Sequence, residues 1–389
     1  MMNFNTRFLK LLSLVEFDPR VSLKRVIFSC QKYPRCISSN ASEVQHSFAA
    51  SYLINNLDLS PKSALSVSRN LRFKNSDKPD AVLAFFKKHG FSNAQIRKLI
   101  CGIPAILASH PEKTILPKFQ FFYSKGFSGP EIAKILCVCP CILHSSLERK
   151  LIPAFNVIKN LLHCERHVVH SIRRFPKILL SHLEFYVIPN IKKLQESGLP
   201  ESSIVWLLKY HPESLITTSD RLAEIIKEVK GIGLNPSLIN FVIAIHVRRS
   251  ISLSTWEKKL DTYKKWGWSE EEILVAFGKH PLCMAASEKK ITRMMDFYVN
   301  HMGWSSSAIA NYPLLIALSL EKRVEPRCSV IQVLQSKGLI KLTSIVTPLL
   351  LSDKSFVLKF VTPHEKEAPE LLRLYQEKLN IAKCEDEER

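Results

Sequence analysis

Apolar residues recur along this chain at helical spacing, and the recurrence is interrupted at regular intervals. Prolines stand at 104, 140, 176 and 212, each 36 residues after the last. Counting back from each proline, positions −8, −5, −4 and −1 are apolar: Ile96, Leu99, Ile100 and Ile103, then Ile132, Ile135, Leu136 and Cys139. The fourth copy has Ile204, Leu207 and Leu208, with His211 at the last place. This spacing puts the four positions on one face of an α-helix. The proline predicts where that helix stops, because it lacks an N–H and disfavours α geometry in the residue before it. The Pro-x-x-Leu that follows (Leu107, Leu143, Leu179, Leu215) is too short for another helix. It predicts a tight 3₁₀-like turn pinned by one buried leucine.

A second marker shares the period. Glycine precedes a large apolar residue at Gly90-Phe91, Gly126-Phe127, Gly198-Leu199, Gly233-Leu234, Gly267-Trp268, Gly303-Trp304 and Gly338-Leu339. The gap from 126 to 198 is twice 36, and Leu162 fills the missing place. Seven and four residues before the marker the chain is apolar, as at Phe119 and Phe122, Phe155 and Ile158, or Ile191 and Leu194; Asp296 is the exception. This predicts another amphipathic helix, ended by a glycine in the left-handed conformation. Pro117, Pro153 and Pro189 lie nine residues before the marker, in the first turn of that helix, where proline is tolerated. Each unit therefore reads first helix, Gly turn, second helix, Pro turn. A period of this size marks a solenoid, whose stacked units share one core, so 389 residues need not mean two or three separate domains.

The later copies drift. Where a proline is due near residue 247 the chain has Ile245-His246-Val247-Arg248-Arg249, and prolines return at Pro281, Pro313 and Pro348. Residues 38–80 read as an N-terminal helical cap, 81–362 as the repeats and 363–389 as a charged C-terminal tail ending in a frayed acidic stretch. Residues 1–37 contain seven basic and two acidic residues with recurrent Ser and Leu. An acid-poor leader of this kind fits an organellar transit peptide, and Arg35-Cys36-Ile37-Ser38 resembles a mitochondrial processing site. The expected location is the mitochondrial matrix, with the chloroplast stroma as the alternative.

Charge then narrows the function. Lys and Arg number 55 against 35 Asp and Glu, a net charge of +20. Removing residues 1–37 takes away 7 − 2 = 5 positive charges and leaves about +15 on the rest. Such a balance favours polyanions. The chain has no run of 18 apolar residues, so no transmembrane helix is expected.

The Pro-x-x-Leu units, the paired helices, the Gly-Phe and Gly-Trp turns and the basic leader together resemble the mitochondrial transcription termination factor (mTERF) family, in particular its plant organellar branch. The resemblance covers roughly residues 50 to 365. It implies an all-α fold, a curved solenoid of repeats each made of two α-helices and a 3₁₀ turn. It also implies an organellar protein that binds nucleic acid along a positively charged face. The family's roles include transcription termination, intron splicing and ribosome biogenesis, and the repeat alone does not choose among them.

If −8, −5, −4 and −1 face the core, basic residues at −7, −6, −3 and −2 lie off it. These are Arg97, Lys98, Lys134, Arg173, Arg174, Lys209 and Lys279, joined by Arg248 and Arg249 at the aberrant turn. Such side chains neutralise phosphates without reading sequence. The expected partner is double-stranded DNA or RNA, with organellar transcription or processing machinery around it. A monomer without cofactor is expected. The competing reading of the same repeats is a scaffold for a protein partner. Cys137-Val138-Cys139-Pro140-Cys141 has the look of a metal cluster, but Cys139 holds the core place of Ile103 and Phe175, and paired zinc spacing is missing. No nucleotide-binding, zinc-protease or serine-hydrolase motif occurs, and His110, His144 and His182 recur in or next to the Pro turns, which points to structure rather than catalysis.

Overall fold

The computed structural model describes residues 42–387 except 70, 74, 342, 343 and 345. The leader expected at 1–37 lies outside the described residues. Among the described residues there is no strand, and no helix is long and apolar enough to cross a membrane. The chain divides into two compact units at Lys227/Glu228. The first contains α1 (Ser42–Leu57), α2 (Pro61–Ser68), α3 (Asp77–Lys88), α4 (Asn93–Gly102), α5 (Leu116–Ser124), α6 (Gly129–Val138), α7 (Ile152–Leu162), α8 (Glu165–Arg174), α9 (Val187–Glu196) and α10 (Glu201–Tyr210). After α11 (Ser219–Gly231), the second contains α12 (Ile239–Ser250), α13 (Leu253–Lys264), α14 (Glu270–Lys279), α15 (Glu288–Asp296), α16 (Ser306–Asn311), α17 (Leu314–Ala317), α18 (Glu325–Ser336), α19 (Thr347–Leu350), α20 (Asp353–Phe356) and α21 (Leu371–Glu387). Both are stacks of helical repeats.

The Pro turn forms as its sequence demands. Helices α4, α6, α8, α10 and α14 all end two residues before a proline, and the pre-proline residues Ile103, Cys139, Phe175, His211 and His280 leave the α region with φ between −135° and −151°. The 3₁₀ turns follow at Pro104–Ala108, Pro140–His144, Pro176–Leu180, Pro212–Leu215 and Pro281–Met284. Leu107, Leu143, Leu179 and Leu215 are buried at their ends. Burying each such side chain contributes about 1.5–3 kcal/mol. Serine capping boxes open α4, α6 and α14, where Ser92, Ser128 and Ser269 pair with Gln95, Glu131 and Glu272.

All seven marker glycines have positive φ, from 68° to 93°. At Gly126 the chain reverses through two backbone bonds, Gly126 N–H to the Tyr123 carbonyl at 3.0 Å and Phe127 N–H to the Phe122 carbonyl at 3.1 Å. This places Phe127 in the core. The eighth site differs by one residue from the expectation: Leu162 is a buried helical residue, and His163 takes the left-handed conformation at φ 52°.

Pro117, Pro153 and Pro189 lie in the first turn of the α-helix, as expected. Each is preceded by a wide turn in which the pre-proline residue donates to the carbonyl five back: Leu116 to Pro111, Ile152 to Leu147 and Ile188 to Leu183. Glu325 before Pro326 and Thr362 before Pro363 bond to Leu320 and Val357 in the same way. A proline ring clashes with the carbonyl four residues back, and a local π-turn moves that carbonyl aside.

After Pro117, Pro189 and Pro326 the next residue ties the helix to the closing turn of its repeat; after Pro153 that residue is Ala154, and Lys150 reaches the Ser181 carbonyl instead. The Lys118 ammonium donates to the Leu143 carbonyl, and Asn190 donates to the carbonyls of Leu215 and Thr217 at 3.0 and 2.8 Å. Lys259 reaches the Met284 carbonyl at 2.6 Å without a proline beside it. Arg327, fully buried, donates to the carbonyls of Pro348, Leu349 and Leu351 at 2.9, 3.1 and 2.7 Å and to Asp353 at 2.6 Å. A 3₁₀ turn leaves its last carbonyls without helical donors, and buried carbonyls need partners. Burial lowers the pKa of Lys118 and brings that of Lys259 to about 8.

Two regions depart from the sequence reading. Arg248, expected on an exposed edge, is buried, ion-paired to Glu228 at 2.6 Å, bonded to the Ile251 carbonyl at 3.3 Å and placed 5.6 Å from the Trp256 ring. The cause is the missing proline. Helix α12 runs on to Ser250 and is buried along Phe241–Arg248, so Arg248 faces inward. The segment read as a charged tail carries α21, whose Leu371 and Tyr375 are buried with Val330, Leu334 and Phe356.

Replacing Arg327 by methionine leaves the Pro348 and Leu349 carbonyls without this donor, while Arg323 still reaches the Leu351 carbonyl and Tyr375 still reaches Asp353. Arg327→Met is expected to lower unfolding stability by about 2–4 kcal/mol, since two buried carbonyls lose their donor, and Arg248→Met by about 1–3 kcal/mol; Asp353 and Glu228 are both exposed enough to be hydrated. Denaturant melts followed by circular dichroism measure both, with Arg174→Met as a surface variant that stays within about 0.5 kcal/mol of the parent.

Candidate nucleic-acid interface

The second helices of successive repeats lie side by side. In the first unit, the Cys137 thiol of α6 meets the Gln95 carbonyl of α4 at 3.6 Å. Arg173 of α8 holds Glu131 of α6, and Ser171 of α8 donates to the Leu208 carbonyl of α10 at 2.7 Å. In the second unit, Asn240 of α12 donates to the carbonyls of Gly278 and Lys279 of α14 at 3.2 and 2.9 Å. Lys279 reaches Asn311 of α16 at 3.2 Å. Residues at one frame position on these helices therefore fall in a row within each unit.

The expected contact residues stand on these helices at different frame positions, Lys98 and Lys134 six residues before the repeat proline, Lys209 three and Arg174 and Lys279 two, and with different freedom. Lys98, Lys134, Arg174 and Lys279 are exposed. Lys209 is half-buried with its ammonium 4.9 Å from the Tyr210 ring centre. Arg249, next to the inward-facing Arg248, is half-buried. Arg97 pairs with Asp58 at 3.3 Å, with both side chains well exposed, an arrangement of small energetic weight. Arg173 is gripped at both carboxylate oxygens of Glu131, at 2.8 and 3.1 Å, and lies 5.7 Å from the Phe127 ring. The Ser128 backbone N–H holds Glu131 below the usual carboxylate range, and Arg173 adds to this. Arg173 thus ties α8 to α6 as well as carrying charge.

A positive region lies on α8 and α10. His167, His170 and Arg174 share a face of α8 at i, i+3 and i+7, and Lys209 comes from α10. The imidazole of His170 meets the Tyr210 ring edge-on at 4.8 Å, so that ring lies beside both His170 and Lys209. Burial and then the Lys209, Arg174 and Arg173 charges push the His170 pKa down; burial and Lys209 do the same to His167. The sequence reading passed over both histidines, although their spacing to Arg174 was the available signal. The tryptophans lean toward packing: Trp268 is buried against Tyr263 at 4.6 Å, and Trp304 stacks on Tyr298 at 5.2 Å. Cys139 is a buried residue of the core, as its place in the repeat indicated.

Comparison with known proteins agrees with this architecture. The chain is similar to two proteins of Arabidopsis thaliana. One is "Transcription termination factor MTERF15, mitochondrial", 25% identical over 255 residues, which cover 56% of each protein. The other is "Transcription termination factor MTERF8, chloroplastic", 21% identical over 164 residues, or 42% of this chain and 32% of that protein. The match thus spans about half or less of the length of these relatives. The mTERF family profile matches residues 17–227 and 182–357, most of the chain. The repeats, turns and profile lead to one assignment: this chain belongs to the mTERF family.

Proposed function

We propose that this protein binds nucleic acid in an organelle through the basic row on its second helices and regulates transcription there, with double-stranded DNA as the target. The observation that supports the reading is the presence of Lys98, Lys134, Arg174 and Lys209 on consecutive stacked helices of one unit. A net charge of +20 gives that row a polyanionic partner, and the names of the two relatives supply organelle and process. The mechanism is stoichiometric. Stapled helices hold cations at fixed spacing against backbone phosphates, and the bound protein obstructs or positions the transcription machinery. The mitochondrial matrix is the proposed compartment, from the composition of residues 1–37. Arg248 has no place in the interface, since Glu228 and Trp256 already engage it.

Binding to organellar duplex DNA and to organellar RNA across a salt series tests the reading. Log affinity for duplex is expected to fall linearly with log salt, with a slope of about −0.9 per phosphate engaged. Arg174→Glu with Lys209→Glu should weaken binding at least about tenfold and flatten the slope by about two. Binding to RNA alone would move the function to splicing or ribosome assembly. Weak binding to both would leave the protein-scaffold reading.

A further inference from the structure

We propose that His167 and His170, with Arg174 and Lys209, form a proton-coupled phosphate clamp, which takes up protons as it closes on a nucleic-acid backbone so that acidification tightens binding. The inference rests on the nucleic-acid reading above and adds a regulatory property to one part of that surface.

Two imidazoles lie within a field of permanent cations. Arg174 shares their helix face, Lys209 approaches from α10, and Arg173 adds to the field at His170. Two of the four ring nitrogens, Nδ1 of His167 and Nε2 of His170, are enclosed without a hydrogen-bond partner. The elements packed around α8 bring little compensating negative charge to them. From α6 comes Glu131, whose two oxygens are engaged by Arg173 and Ser128. On the α7 side, Lys159 holds Glu165 at 2.7 Å, with Lys125 of α5 at 3.8 Å. Glu201 at the start of α10 lies 3.9 Å from His163, and the following Pro turn contributes Lys177. The local charge is therefore deficient in anions, the condition under which an imidazole stays neutral near pH 7.

A backbone phosphate seated on Arg174 and Lys209 reverses that condition. It supplies the missing negative charge, screens the two cations from the rings and favours imidazolium. In the free protein the two histidines release their protons below the ordinary value near 6.5, and in the complex they hold them to higher pH. The complex then carries protons that the free protein lacks, so affinity rises as pH falls. The sites need not touch the phosphate directly, because the added charge acts across the cluster at short range.

The test uses the protein and a fixed organellar duplex at constant salt, where neither phosphodiesters nor paired bases titrate. From pH 7.5 to pH 6.0 the affinity is expected to rise about tenfold. His167→Gln with His170→Gln should reduce that rise to less than about twofold at unchanged thermal melts, while His182→Gln, an exposed histidine elsewhere, should keep the parental response. Calorimetry of the unaltered protein in two buffers of different ionisation enthalpy gives a readout that needs no variant. An uptake of about one to two protons per complex near pH 6.5 supports the clamp. A flat pH profile with a preserved salt slope, zero proton uptake, or a double variant with the parental pH response would each overturn it while leaving the nucleic-acid reading intact. Absence of binding at every pH removes both.

Discussion

The carbonyl groups at the end of each Pro turn impose the constraint on which this fold depends. Proline stops the second helix, and the 3₁₀ turn that follows buries a leucine, so its last carbonyls are carried inward with it. They must find a donor there. The first helix of the repeat provides one: Lys118, Asn190 and Lys259 each stand eight residues before the marker glycine, and Arg327 serves from eleven before it. Lys150 meets the Ser181 carbonyl at 3.1 Å and Lys290 the Ala317 carbonyl at 3.0 Å from neighbouring frame positions. The long-range tie between a repeat's first helix and its closing turn is thus a hydrogen bond, often from a cation, set within an apolar core.

This separates the chain's positive charge into two populations. One faces inward and is used by the fold, as Lys118, Lys259, Arg248 and Arg327 show. The other faces outward from several elements, and its members on the second helices stand where the turns hold them in lateral register. Because the inward cations clamp the turn, the outward ones sit on rigid elements, which is where a phosphate-binding row is most effective. A basic composition alone would not distinguish these roles.

Much of the fold was legible in the sequence because its strongest signals are backbone constraints. Prolines at a 36-residue period and glycines in left-handed turns have few alternative meanings, and both landed where the pattern placed them. Less legible were features governed by tertiary partners. His163 takes the left-handed turn one residue beyond Leu162 because Leu162 is claimed by the core. The π-turns before Pro117 and Pro153 answer a clash with the preceding turn that one-dimensional spacing does not reveal. Among the expected contact residues, Lys98, Lys134, Arg174 and Lys279 are exposed as the helical wheel indicated. Arg248 is not, because loss of the proline let α12 continue and turned the residue inward. The histidines beside Arg174 were overlooked because their setting is created by Lys209 on another helix.

Lysine footprinting by mass spectrometry tests most directly whether the outward row is the binding surface. The protein is modified with an amine-reactive reagent, with and without saturating nucleic acid, and each lysine's rate is compared. The account predicts slowed modification at Lys98, Lys134, Lys209 and Lys279, unchanged rates at the exposed Lys113 and Lys354 on other elements, and little reaction at the buried Lys118 and Lys259 in either state. Protection of Lys113 and Lys354 with Lys98, Lys134 and Lys209 left reactive would contradict it and place the nucleic acid on a different face.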